Sequence, residues 1–395
     1  MRQCYLMMVT ADNHNKYYRM AERPGGIFRA EYGRVGQRPQ IRSYPMGHWN
    51  EKYQEKIAKG YTDVTAIHTD AGKSASDGFA GIREAEVAKL VEQLLSFSRK
   101  EISSNYRVSW NEVTPEMIER ARRILAELSR TEDTCRFNTQ LLALFTVIPR
   151  KMEQVSDYMA CSDDHAHVLE RETELLDNMA SQVKLQSLGS ADKGDEKGER
   201  TILDAAGLSI RACNGQELED IRKYLTAESA YKMRRAFRVR NHASDRAFAD
   251  YCSRYDIGKG DRHLLFHGSR NENWWSILSS GLKLYPDAVI NGKMFGNGLY
   301  FAPRAQKSIR YCSLQGRNYT NENSSTGFLA LYEVAYKNPL DVYSHSGEYG
   351  RYRDGSLGAG RDALYAHKGS MLVNDEIIVY KEQQTAVRYI IELGC

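Results

Sequence analysis

The chain reads as a multidomain α+β protein: a small β-rich module, then an all-α helical bundle, then a domain built on an antiparallel sheet. Three observations predict this. At 395 residues the chain is too long for one ordinary core. Its hydrophobic period changes from near-alternation around glycine turns to a spacing of three and four. It changes again to short β-branched and aromatic runs bounded by Gly, Asn and Asp.

The first module covers residues 1–75. Runs such as "GIFRAEYGRVG" alternate aromatic or aliphatic residues with polar ones, as half-buried strands do. The Gly, Ser and Ala of "DAGKSASDGFAG" mark a linker after it. Residues 80–225 then carry helical spacing. Val87, Leu90, Val91, Leu94 and Leu95 make one apolar stripe. Thr114 and Pro115 suit the cap and first turn of a helix that buries Met117, Ala121, Ile124, Leu125 and Leu128. "TQLLALFTVIPR" predicts a more fully buried helix that Pro149 stops. Val168, Glu172, Leu175, Leu176, Met179 and Val183 predict a further amphipathic one, and the Gly and charge of 189–200 a surface loop. In residues 226–395, "HLLFH", "GLYFA", "FLALYEVAY", "EIIVYKE" and "AVRYIIEL" read as strands. They do not alternate with long helices, which excludes a doubly wound parallel sheet. "NWWSILSSGL" is one of a few short helices expected there.

Composition narrows the function. Hydrophobic residues are 42%, charged ones 27% and mean hydropathy is −0.59, with no apolar stretch near the ~20 residues a membrane span needs. The N-terminus "MRQCYLMMVT" lacks the apolar length and cleavage site of a secretory signal, which predicts an intracellular protein without a membrane partner. The seven cysteines are odd in number, scattered and without a C-x-x-C pair, so neither a disulfide framework nor a zinc site is encoded. Net charge is only +4, but residues 1–70 hold 11 Lys and Arg against 7 Asp and Glu, a basic surplus with interleaved aromatics that fits an anionic partner or a solvated surface.

Several tempting motifs fail. Gly296-Asn297-Gly298 has no third glycine at dinucleotide spacing and precedes a strand, and no phosphate loop is present. "DDHAH" at 163–167 has metal-like residue types, yet it opens a helix whose dipole favours acids, and no metal is expected. His267, Tyr300 and Glu376 are different. Each lies in or at the end of a separate expected strand beside small residues, which is how polar groups converge on a rigid scaffold.

"LLFHGSRNENWWSILSSGL", "MFGNGLYFAPRAQKSIRYC" and "NDEIIVY", in that order, resemble the catalytic domain of the poly(ADP-ribose) polymerases, among the diphtheria-toxin-like ADP-ribosyltransferases. "LFTVIPR" and "ELLDNMASQVKL" resemble the helical regulatory domain of the DNA-dependent members. "NKYYRM", "IFRAEYGRVGQ", Trp49, Lys52, Lys56 and Gly60-Tyr61 resemble a WGR domain.

The resemblance implies an NAD+-dependent transferase, with NAD+ as substrate and no metal. Its catalytic residues would be Glu376, His267, Tyr300 and Lys307. Glu376 would bond the ribose 2'-hydroxyl, stabilise the oxocarbenium-like centre and polarise an acceptor hydroxyl. His267 would meet a ribose hydroxyl, and the backbone of Gly268 the nicotinamide carboxamide. Ser269 would reach toward the adenosine side, Lys283 toward the adenine, and Asn273 would be a further NAD+-binding residue. Tyr300 and Tyr311 would sandwich the nicotinamide, and Ser308 would donate to its amide. Lys307 would aid acceptor activation. Tyr32, Arg34, Trp49 and Lys52 would contact nucleic acid, with breaks bearing 5'-phosphate ends as activator. Protein acceptors would include the chain itself. The site of action would be the nucleus in a eukaryote or the cytoplasm in a bacterium. In relatives the helical domain shields the NAD+ site until the first module meets a DNA break.

Three positions depart from the family pattern. Asn374 is often aromatic, Lys283 replaces a usual arginine, and Tyr32 stands where the signature Trp is expected. An intact Glu376 favours polymer formation. A catalytically inactive DNA-end-binding scaffold is the alternative reading. Single-unit transfer under an RNA or protein activator is another.

Overall fold

The computed structural model describes residues 2–65, 79–108, 110–191, 200–225, 227–230, 232–284, 293–314, 324–344, 346–369 and 372–394. The joint read at 70–81 and the loop read at 189–200 lie largely outside the described residues. The chain divides into two compact units, Met1–Ser76 with Lys100–Gln186 and Asp77–Arg99 with Ser187–Cys395.

In the first unit β1 (Gln3–Thr10), β2 (His14–Arg23), β3 (Ile27–Arg34), β4 (Gln40–Pro45) and β5 (Thr62–Asp63) form an antiparallel sheet ordered β4-β3-β2-β1-β5. One face buries Leu6, Tyr18, Met20, Phe28 and Ala30 against Trp49 of α1 (Trp49–Ala58). The helices α3 (Pro115–Leu128), α4 (Thr134–Val147) and α5 (His165–Ala191) follow α2 (Ala85–Asn105), the helix at which the chain passes from the second unit to the first. Thr114 caps α3 by accepting from the Met117 N–H, with Pro115 in the first turn, where its missing N–H leaves no bond unmade. The buried stripe of α3 takes Ile118 with Met117, Ala121, Leu125 and Leu128, while Ile124 is half-buried. Helix α4 ends at Val147, just before Ile148 and Pro149, and packs on β1. Its neighbour Arg150 is fully buried and donates to both oxygens of Glu172, at 2.5 Å each, and to Asn105 at 3.0 Å. Tyr106 and Tyr158 lie 5.3 Å from its guanidinium. A buried charge is tolerated when paired and hydrogen-bonded in this way.

The second unit begins with α2, whose stripe Val87, Leu90, Val91, Leu94 and Leu95 is buried. Arg235 ties it to the sheet, donating to Glu86 at 2.7 Å and to Glu392 at 2.6 Å. Then come α6 (Ile202–Ala206), β6 (Leu208–Ala212), α7 (Gly215–Tyr224), α8 (Ala227–Ala230), β7 (Met233–Asn241) and α9 (His242–Arg254). Strand β6 falls inside the stretch read as helical, where its five residues are too few to show a period against the helices on either side. The sheet β6-β7-β14-β10-β8 is antiparallel throughout, using β8 (Arg262–Gly268), β10 (Thr326–Ala335) and β14 (Thr385–Gly394). A second sheet runs β11-β12-β13-β9, from β11 (Pro339–Val342), β12 (Ala363–Ala366), β13 (Glu376–Val379) and β9 (Leu299–Phe301). Its β11–β12 pair is parallel, the one departure from the antiparallel expectation among the described strands. The helices α10 (Trp274–Ser280) and α11 (Ala305–Ile309) are short, as expected. Edge strands β8 and β9 meet where Phe266 and Ala302 exchange both backbone hydrogen bonds, at 2.8 and 2.9 Å. That bridge brings the C-terminal end of β8 to the strands carrying Tyr300 and Glu376. Among the described residues no helix is long and apolar enough to cross a membrane.

Candidate active site

His267 and Gly268 end β8, Tyr300 is central in β9 and Glu376 begins β13. In register Ile378 opposes Tyr300, which sets Glu376 two residues along the same pair of strands. The His267 Nδ1 lies 3.0 Å from the Tyr300 carbonyl. A carbonyl only accepts, so Nδ1 carries the proton and donates it. Burial disfavours the imidazolium and brings the His267 pKa down to about 4, with the nearby Lys293 charge acting in the same direction. The ring is therefore neutral near pH 7, and its Nε2 is an acceptor suited to a sugar hydroxyl. Trp274, Phe301 and Tyr332 surround it, with ring centroids at 6.3, 5.6 and 5.9 Å.

The Tyr300 hydroxyl accepts from the Phe295 N–H and donates to the Gly296 carbonyl, both at 3.0 Å. Burial pushes its pKa well up, and Glu376 and Tyr311 lie close enough to add to the shift. The phenol stays protonated and fixes the turn before its own strand. Gly296 has φ +79°, and a Cβ there would come 2.1 Å from the Tyr352 carbonyl oxygen, so only glycine fits.

Glu376 is 7% exposed, and its Oε1 meets the Lys307 ammonium of α11 at 2.8 Å. The buried Glu376 charge thus has its partner. Gly268 is the tightest backbone approach of the site: a Cβ there would stand 1.9 Å from the Ser308 carbonyl oxygen. Ser308 is buried and its hydroxyl donates to the Phe266 carbonyl at 3.0 Å. Asn273 donates to the Ser269 hydroxyl at 3.3 Å, Lys283 pairs with Glu382 at 2.8 Å, and Tyr311 is 40% exposed. Sequence reasoning missed the aromatic surround of His267 and Lys293, whose ammonium lies 5.5 Å from the Tyr300 ring centre. Trp274 and Tyr332 read simply as core residues of a helix and a strand. Among the described residues no cluster of three or more His, Cys, Asp or Glu can hold a metal.

The residues read as nucleic-acid contacts are engaged within the first unit. Arg34 donates to the Asn13 carbonyl (2.8 Å), the Asn13 side chain (2.7 Å) and the carbonyls of Met152 and Glu153. Trp49 is 2% exposed and packs edge-on to Phe28 at 5.1 Å. Tyr32 stacks on Tyr18 at 5.3 Å, and Lys52 pairs with Glu55 at 2.9 Å. On the face of β2 and β3 away from Trp49, Arg19, Arg23 and Arg29 are exposed beside Ile27 and Ile41.

The model of the poly(ADP-ribose) polymerase catalytic domain matches residues 215–395. The "Uncharacterized protein 101L" of Invertebrate iridescent virus 6 is 32% identical, over 46% of this chain and 77% of its own length. "Poly [ADP-ribose] polymerase 2-A" of Oryza sativa subsp. japonica is 23% identical, and "Poly [ADP-ribose] polymerase 2" of Zea mays 24% identical, each over 97% of this chain and 68% of its own length. With His267, Tyr300 and Glu376 set on neighbouring strands inside the matched region, the chain belongs to the poly(ADP-ribose) polymerase family.

Proposed function

We propose that the protein cleaves NAD+ and transfers ADP-ribose to proteins, itself included, building a polymer when broken DNA is present. The observation that carries this reading is the set His267, Tyr300 and Glu376 on strands β8, β9 and β13, with Lys307 against Glu376. Tyr300 offers a ring wall for the nicotinamide, with Tyr311 opposite, while the Gly268 backbone meets its amide and Ser308 does so by turning its hydroxyl from the Phe266 carbonyl. The neutral His267 accepts from a ribose hydroxyl, and Ser269, Asn273 and Lys283 take the adenosine side. The bond from ribose C1' to the nicotinamide nitrogen breaks and nicotinamide leaves as a neutral base. Glu376 holds the 2'-hydroxyl and stabilises the cationic C1'. The acceptor oxygen then bonds to C1' and its proton passes towards Glu376.

In this reading residues 1–75 are a WGR-like nucleic-acid module, 80–225 a helical regulatory domain and 226–395 the catalytic domain. The first of these meets DNA breaks, in the nucleus of a eukaryote or the cytoplasm of a bacterium. The test is incorporation of labelled NAD+ into protein with and without broken duplex DNA, against Glu376→Gln. DNA-stimulated labelling that grows into a ladder and falls by about 100-fold or more in the variant is expected, as for loss of a group acting on developing charge. No labelling of the parent under any condition sinks the reading in favour of an inactive scaffold.

A further inference from the structure

At the Glu376 end of the second sheet three rings form a column. Tyr343 stacks on His367 at 4.3 Å with 3° between planes, and His367 stacks on Tyr365 at 4.3 Å and 23°. The column is fixed from several sides. His367 Nε2 lies 2.7 Å from Asp341, the His367 N–H donates to the Val342 carbonyl at 2.8 Å, and the Tyr365 hydroxyl donates to Asp375 at 3.3 Å. Asp375 also accepts from the Lys368 N–H at 2.7 Å. Yet Tyr343 is 66% exposed. One face of its ring is covered by His367, and a large aromatic surface is left to water.

We propose that this column is a docking platform for an arginine side chain of a protein acceptor, an inference that rests on the reading of the site as an ADP-ribosyltransferase. Two observations choose the occupant. The first is charge. Asp341, half-exposed and in contact with His367, and Asp375, in contact with Tyr365, place two carboxylates along the column, and a π face beside carboxylates attracts a cation. A planar guanidinium stacks on a tyrosine while keeping its edge for carboxylates and water, which a compact ammonium does less well. The second is position. Ala366 opposes Glu376 in register, so His367 and Tyr343 lie just past the strand end at which Glu376 begins. Strand alternation puts the column and Glu376 on opposite faces, and a peptide wrapping this edge passes both.

The test is binding of a fluorescent Gly/Arg peptide to the full chain without NAD+, followed by anisotropy, with Gly/Lys and Gly/citrulline peptides and an ADP-ribose oligomer as comparisons. The Arg peptide is expected to bind best and to weaken with salt. Tyr343→Ala is expected to cost about 3- to 10-fold, within the range of a cation–π contact, while Tyr343→Trp retains affinity. Asp341→Asn should weaken the Arg peptide and flatten its salt dependence. Unchanged affinity in Tyr343→Ala, with melting unaltered, overturns the proposal. An oligomer that binds more tightly than the peptide and loses affinity in Tyr343→Ala also overturns it, in favour of a base-stacking surface. Tyr343-dependent peptide binding without transfer of label from NAD+ leaves the platform standing and removes the transferase reading, so the two fail separately.

Discussion

The candidate active site and the N-terminal sheet carry their candidate residues in opposite ways. In the site, His267 is held through Nδ1, which leaves Nε2 open, and Glu376 is held through Oε1 by Lys307, while the Ser308 hydroxyl donates to the Phe266 carbonyl. In the sheet, Arg34 and Trp49 are consumed by the fold: one binds three backbone carbonyls and a side chain, the other lies in the core. Residues set at strand ends keep a fixed spacing, so a long motif brings them together in the fold. A charged surface is spread over strands, and a single arginine in a familiar setting can serve structure instead.

Removing the charge most deeply committed to structure has the largest expected effect. Arg150→Met leaves Glu172 buried without its partner and is expected to cost about 3–5 kcal/mol in denaturant unfolding. A loss below ~1 kcal/mol would show that water reaches the pair. Gly268→Ala comes next. Its Cβ meets the Ser308 carbonyl, so about 1–3 kcal/mol of stability should go together with NAD+ binding, measured by titration. Normal binding would mean that α11 shifts freely. Third, Lys307→Met should lower kcat for transfer by about 10-fold or more with little change in KM for NAD+, if the lysine serves Glu376 and not the dinucleotide. A raised KM alone would reassign it.

Two smaller effects sharpen the contrast. Arg29→Gln and Arg19→Gln should each weaken DNA binding a few-fold and reduce the salt slope by about 0.9, as loss of one phosphate contact does, whereas Lys52→Gln should leave the slope nearly unchanged. The reverse pattern would return the interface to α1. The pH response of His267 is the smallest effect near neutrality. Its folded pKa of about 4 lies below the ordinary 6.5, so the unfolded chain takes up its proton first. The contribution to stability is fully present above pH 6.5 and is lost as pH falls towards 4. Thermal melts of the parent should decline over that window more than those of His267→Gln, and transfer rates should be level in this group from pH 6 to 8.

The fold was legible where chemistry is local. Thr114-Pro115 announces the start of α3, and the stripe from Val87 to Leu95 is buried as its spacing requires. It was less legible where tertiary context decides. Strands β11 and β12 are four residues each, and their parallel pairing leaves no mark in so short a run. Glu376, His267 and Tyr300 were legible as a set chiefly because three ordered motifs, "LLFHGSR", "GNGLYF" and "NDEIIVY", resemble a known catalytic domain, the residues' places at separate strands giving only partial support. The ring cage around His267 was not, since Tyr332 and Phe301 look like any inward residues until β8, β9 and β10 are brought together.

The reciprocal hydrogen bonds of Phe266 and Ala302 also give the molecule a clock. Both amides are locked at a seam between two sheets, so they exchange with deuterated solvent only when the seam opens. Their exchange rate therefore counts how often the strands bearing His267 and Tyr300 separate, whether or not any reaction is taking place. A ligand that spans the seam would slow both amides together.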